Sequence, residues 1–392
     1  MSDQAKPEEK KPEEVKPEEK KPEEPKPEED KKKEDPKTEE DKKKEEVKQE
    51  EAKPEKEKTE EEKKIEAEQK AAEEKRKKEQ EEYRQKIIAE NDKIIKDWEN
   101  EVTPMEPFGE KVEVMKIKYT PEYLRIMNLF RGVYNSKIIS KKAFDLTTTI
   151  ISRYSDYNAF LLRLECIDTL KDIDLSGELT WLDEQCFNFQ KAYQVWSYRK
   201  ILVDKLNDCT HDKKLMDRIF EKEPKNFHAW EYRTWMTRRF DNTEGEYEFI
   251  EKMLEDDVKN NSAWSYRFFL NLYMNGNKLN KDIVEKEIKY ALDKIRKYPL
   301  NECPFNYIRG LITKGNFKFS DFGFLKEELE KLLKENENNH YDMNLLMDLY
   351  EEEKNEERFN AMVEKLIDVD YIRKKYYGWR KENSIFIKDN KK

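Results

Sequence analysis

The first 123 residues contain no leucine, and the first 108 contain no glycine. A stretch so poor in apolar side chains cannot offset the entropy of ordering its backbone, which excludes a core-bearing domain at the start of the chain. Cysteine and histidine are scarce as well. Cys166, Cys186, Cys209 and Cys303 form no C-x-x-C, and His211, His228 and His340 stand at no ligand spacing. Reduced thiols, a cytoplasmic setting and no metal held by this chain are therefore expected. No apolar run approaches the length of a membrane span, and no signal-peptide core opens the chain. A soluble intracellular protein is the expectation.

Charge is what the chain has in excess. Of 392 residues 43% are charged, with a net charge of -10, and residues 1–100 hold 29 Lys/Arg against 37 Asp/Glu. KPEE occurs five times between Lys6 and Glu29. Proline every fifth residue forbids a continuous helix and favours extended, solvated backbone. From about Glu55 to Trp98 Glu, Lys, Ala, Gln and Arg take over, a composition that suits an exposed helix laced by Glu–Lys pairs. The arm reads as a spacer, with an acidic docking arm as the alternative. Its negative balance disfavours nucleic acid. The organisation expected is a charged arm over 1–105, a repeat domain over 106–384 and a polar tail over 385–392.

One phrase organises the rest. KAYQVWSYR (191–199), KNFHAWEYR (225–233) and KNNSAWSYR (259–267) place Trp196, Trp230 and Trp264 at steps of 34 residues, with Arg199, Arg233 and Arg267 in the same register. DYNAFLLR, with Phe160 and Arg163, and NECPFNYIR, with Phe305 in the Trp place, are weaker copies on either side. Such a period marks an array of helical units, each burying its apolar face by stacking on its neighbours. Apolar stripes at helical spacing precede each copy: Leu215, Ile219 and Phe220; Tyr247, Ile250 and Leu254; Val284, Ile288, Leu292 and Ile295. Beyond a short extended run from Val112 to Lys118, no alternating strand is expected. The fold class is all-α, a right-handed α–α superhelix of helical hairpins.

The indole of each Trp-x-x-Arg is expected to fill the space between stacked hairpins, with the guanidinium satisfying carbonyls or acids at the next turn. The residues just before them are better candidates for chemistry. Lys191, Tyr193 and Gln194, then Lys225, Phe227 and His228, fall at helix starts. Free N–H groups and the positive end of the dipole make a lysine there a candidate anion site.

These phrases resemble the repeats of protein prenyltransferase α subunits. KVEVMKIKYTPEYLRIMNLFRGVY and KAFDLTTTII resemble the segment that opens the α subunit shared by protein farnesyltransferase and type I geranylgeranyltransferase, and YIRKKYYGW looks like that family's last helix. The resemblance covers nearly all of 110–380 and leaves out the arm. It implies a crescent of about seven hairpins around a β subunit that carries the catalytic Zn2+. It also implies Mg2+ with the diphosphate, and transfer of a farnesyl or geranylgeranyl group from that diphosphate to the cysteine of a C-terminal CaaX motif, as on small GTPases. By position Lys191 matches the lysine that reaches the diphosphate, Tyr193 a tyrosine lining the site, and Gln194 the glutamine that meets the peptide carboxylate. His228 matches a histidine near the diphosphate, and Tyr157 the tyrosine of the preceding repeat. Ala192 replaces the usual Asn, removing a helix cap. Phe227 replaces the usual Tyr, so it can pack but has no hydroxyl to offer. The alternatives are the α subunit of the Rab-modifying transferase, whose extra domains usually follow the repeats, and a non-catalytic scaffold of tetratricopeptide type, whose signature places Gly and Tyr after the Trp.

Overall fold

The computed structural model describes residues 60–106 and 117–389. The chain divides into two compact units, Met1–Glu81 and Glu82–Lys392. Helix α1 (Glu60–Asp97) crosses that boundary, and its residues 67–81 are exposed throughout. Among the described residues every regular element is helical, and no helix is long and apolar enough to cross a membrane. Of the expected extended run, residues 112–116 lie outside the described residues, and 117–118 belong to no regular element.

The second unit continues as α2 (Pro121–Asn135), α3 (Lys141–Tyr154), α4 (Tyr157–Thr169), α5 (Leu175–Asn188), α6 (Tyr193–Leu206), α7 (Asp212–Lys222), α8 (Phe227–Phe240) and α9 (Glu246–Asp256). Next come α10 (Asn261–Met274), α11 (Lys281–Lys297), α12 (Glu302–Lys314), α13 (Gly323–Glu335), α14 (His340–Glu352), α15 (Glu356–Val369), α16 (Lys374–Glu382) and α17 (Ile385–Asp389). From α3 onward consecutive helices pair, and the second helix of each pair packs on the second helix of the next, α4 on α6, α6 on α8, α8 on α10. The result is an all-helical solenoid with one continuous apolar core.

The repeated residues build the joints of this stack. Trp196, Trp230 and Trp264 are buried and donate their indole N–H to the carbonyls of Gln190, Pro224 and Val258 at 2.8, 2.9 and 2.9 Å. The same three carbonyls accept the Nδ2 of Asn226, Asn260 and Asn301 from the following hairpin, at 3.4, 3.0 and 2.9 Å. Each of those asparagines also caps its own helix through Oδ1. One side chain thus starts a helix and ties it to the preceding repeat.

The arginines do not reach the next turn, as the sequence suggested, but cross to the next hairpin. Arg163, Arg199, Arg233 and Arg267 are buried and pair with Glu178, Asp212, Glu246 and Glu287 at 2.6–2.7 Å. Each carboxylate also accepts a tyrosine hydroxyl twenty residues downstream, from Tyr198, Tyr232, Tyr266 and Tyr307. A buried charge is tolerable only when paired and hydrogen-bonded, and here the carboxylate of one hairpin takes the guanidinium of the preceding hairpin and a tyrosine of its own.

The last residues of α1 and the turn that follows it join the core of the second unit. Trp98 is buried, with the Lys142 ammonium 4.3 Å above its ring, and Arg153 bonds Asn91 and Glu90. The segment expected to be arm throughout (1–105) therefore includes packed residues from about Asn91 onward.

Candidate functional site

Tyr157, Tyr193 and Phe227 are the first residues of α4, α6 and α8, so stacking brings them into one register. All three are exposed, at 63, 69 and 65% of their surface. Large aromatic rings left in water at equivalent places of three repeats form an apolar row that the other described residues do not cover.

Around the middle of that row the candidate residues gather. The rings of Tyr193 and His228 meet edge to face with centroids 4.3 Å apart, and Phe227 lies 5.4 Å from His228. The half-buried His228 faces the backbone carbonyl of Lys191. Burial holds its imidazole below the usual histidine value, against the opposing pull of Glu231 and of that carbonyl. That shift favours the neutral ring, which carries a single N–H. The Lys191 ammonium is exposed and pairs with Glu223 at 3.2 Å.

The departure at Ala192 has a visible consequence. Ala192 is the N-cap of α6 and gives no side-chain bond, whereas Asn226 in the same place caps α8. Two residues on, Gln194 donates its amide to the carbonyl of Ser155 and, at 3.2 Å, to the Ser155 hydroxyl. The tie to the preceding hairpin that an asparagine would make is thus carried by Gln194. Its amide nitrogen is engaged in the chain by itself.

Tyr157 stands apart, with no hydrogen bond or ring contact among the described residues, and the structure does not bring it to His228. Sequence reasoning missed Glu223 and Ser155. A signal for Glu223 existed in the repeat itself: Lys191 and Glu223 are 32 residues apart, as are Lys225 and Asp257, which pair at 2.8 Å.

The chain offers an ammonium, a phenol, a neutral imidazole and a helix start without a side-chain cap. That set suits an anionic, partly apolar ligand. All four cysteines are free, three of them buried, and burial pushes the Cys186 thiol up to about 12. Among the described residues no group of three or more His, Cys, Asp or Glu is placed to hold a metal ion.

Residues 175–206, 210–240 and 243–274 match the protein prenyltransferase alpha subunit repeat. These spans coincide with the hairpins α5–α6, α7–α8 and α9–α10. Over 114 residues, 29% of this chain, the sequence is 27% identical to the protein farnesyltransferase/geranylgeranyltransferase type-1 subunit alpha of Candida albicans. Over 103 residues, 26% of this chain, it is 31% identical to the subunit of the same name from Schizosaccharomyces pombe. The matched region spans 37% and 35% of the length of these curated relatives. Among solved structures, a chain of the Candida albicans protein geranylgeranyltransferase-I complexed with GGPP is similar over 72% of this chain and 97% of its own length, with a TM-score of 0.66 and 26% identity. Matching repeats, relatives and fold together make this chain similar to protein prenyltransferase α subunits over its helical repeats.

Proposed function

We propose that this chain is the α subunit of a heterodimeric protein prenyltransferase of the farnesyl/geranylgeranyl type I kind. With a β subunit it moves a farnesyl or geranylgeranyl group from its diphosphate to the cysteine of a CaaX-terminated protein, such as a small GTPase, in the cytoplasm. The observation that carries the reading is the convergence of Lys191, Tyr193 and His228 on adjoining helix starts, beside the uncovered row of Tyr157, Tyr193 and Phe227. A relative that binds GGPP supports the ligand class.

In this reading the β subunit covers the aromatic row. Lys191 faces the diphosphate and neutralises the charge that builds as the carbon–oxygen bond breaks. His228, neutral, turns its one N–H to the Lys191 backbone carbonyl and adds no second cation to the site. Tyr193 forms the wall between them. Gln194 exchanges its Ser155 bond for the terminal carboxylate of the CaaX peptide. Zinc would hold the acceptor cysteine as thiolate, and in this reading the β subunit supplies its ligands. Mg2+ would accompany the diphosphate.

Co-expression with candidate β subunits, including a Rab-type one, followed by assay of each isoprenoid diphosphate on a CaaX peptide, tests the reading. Turnover by the heterodimer, with neither turnover nor stoichiometric zinc in the isolated chain, supports it. A chain that binds no β subunit and captures peptides alone would be a scaffold.

A further inference from the structure

The turn between α7 and α8 grips Lys191 twice. Glu223, the C-cap of α7, lies 3.2 Å from the ammonium, and His228, in the first turn of α8, faces the backbone carbonyl. One repeat later the first half of this grip recurs, with Lys225 on Asp257 at 2.8 Å. The second half does not, because the place of His228 is taken by Ser262. Of these two lysines, Lys191 has both its backbone and its charge met by the following hairpin.

An ammonium already paired with a carboxylate is not free to receive an anion. The Lys191 side chain is 78% exposed and that of Glu223 37%. Solvated pairs of this kind are weak and exchange readily. A diphosphate brings more charge and more acceptor oxygens to the same cation, and it wins when bound. Resting on the reading of Lys191 given above, we infer that Glu223 is the positioning partner of Lys191 and its competitor for diphosphate. Glu223 keeps the ammonium at the mouth of the site when the site is empty, yields it to the incoming diphosphate, and takes it back as the diphosphate product departs. The lysine contributes to the transition state without binding the free product too tightly.

The test is inhibition of the reconstituted αβ enzyme by inorganic diphosphate. Glu223→Gln keeps size and shape but removes the competing charge, so inhibition should tighten about two- to fivefold, the worth of an exposed ion pair. Glu223→Ala should shift it the same way, which guards against a defect peculiar to one variant. In a Lys191→Ala background the Glu223 substitution should do nothing, because it acts only through the lysine. Asp257→Asn, the equivalent change one repeat later, should leave inhibition unchanged. An unaltered or weakened inhibition in both Glu223 variants, or an equal effect with and without Lys191, overturns the inference while leaving the role of Lys191 intact. If Lys191→Ala leaves the single-turnover rate unchanged, the reading of the site fails and the inference falls with it.

Discussion

Arg233 and Tyr266 belong to successive hairpins and end on one carboxylate. Arg233 donates Nε and Nη2 to Glu246 at 2.7 Å each, and the Tyr266 hydroxyl donates to Glu246 Oε2 at 2.7 Å. The guanidinium also lies 3.6 Å from the centre of the Phe249 ring. Removing the shared acid would leave a buried cation unpaired. Glu246→Ala should therefore destabilise the chain by about 3–5 kcal/mol. Tyr266→Phe, which removes one bond of the set, should cost about 1 kcal/mol. Urea unfolding of both variants checks this, and a cost below about 1 kcal/mol for Glu246→Ala would show that the relay is not what holds the hairpins together.

The second prediction concerns rate. Lys191→Ala should lower the single-turnover rate of the heterodimer about tenfold to a thousandfold, with little change in isoprenoid affinity or subunit assembly. Lys225 sits in the equivalent place one repeat later and has no His228 counterpart, so Lys225→Ala should leave the rate nearly unchanged. Equal slowing by both substitutions would remove Lys191 from the reaction.

Gln194 joins a structural tie to a proposed substrate contact, and the two roles separate kinetically. Gln194→Ala should raise KM for the CaaX peptide more than KM for the isoprenoid diphosphate. Loss of the Ser155 bonds should lower stability by only about 1 kcal/mol. If both KM values rise together, Gln194 serves packing alone.

Asp342 predicts a pH dependence. Both of its carboxylate oxygens are buried without a hydrogen-bond partner. Burial pushes the group up to about 7, and Asn339 nearby pulls it back only in part. Below its ordinary value of 3.8 the carboxyl is protonated in folded and unfolded chains alike, and it costs nothing. Between there and pH 7 the unfolded chain gives up the proton while the folded chain keeps it, so this contribution falls as pH rises and levels off above 7. Asp342→Asn should abolish that fall and raise stability near pH 7.5 by up to about 4 kcal/mol. Unfolding curves of the two proteins from pH 4 to 8 that run parallel would contradict it.

The boundary of the arm gives the last prediction. Removing residues 1–81 should leave folding and assembly with a β subunit unchanged, since composition alone denies that segment a core. Removing residues 1–98 should lower the melting temperature, because Trp98 and Asn91 are buried and Arg153 would lose both its partners in α1. Equal melting temperatures for the two truncations would show that this end of α1 does not support the domain.

The helical repeat was legible in the sequence because its cause is local. A period of 34 residues, apolar stripes and polar turns dictate helices of set length that can bury a face only by stacking. Lys191, Tyr193, Gln194, Phe227 and His228 could be singled out for the same reason, since each occupies a helix start defined by the phrase around it. What the sequence did not determine was which groups meet. Spacing put the partner of each arginine at the next turn; stacking put it on the next hairpin, 13 to 20 residues on, shared with a tyrosine. It left Lys191 as a free cation, whereas the fold sets Glu223 against its charge and His228 against its backbone. It treated the missing cap at Ala192 as a simple loss, whereas Gln194 makes the tie to Ser155 instead. These pairings depend on the offset between one hairpin and the next. Packing of whole helix faces sets that offset, and no single stretch of residues encodes it.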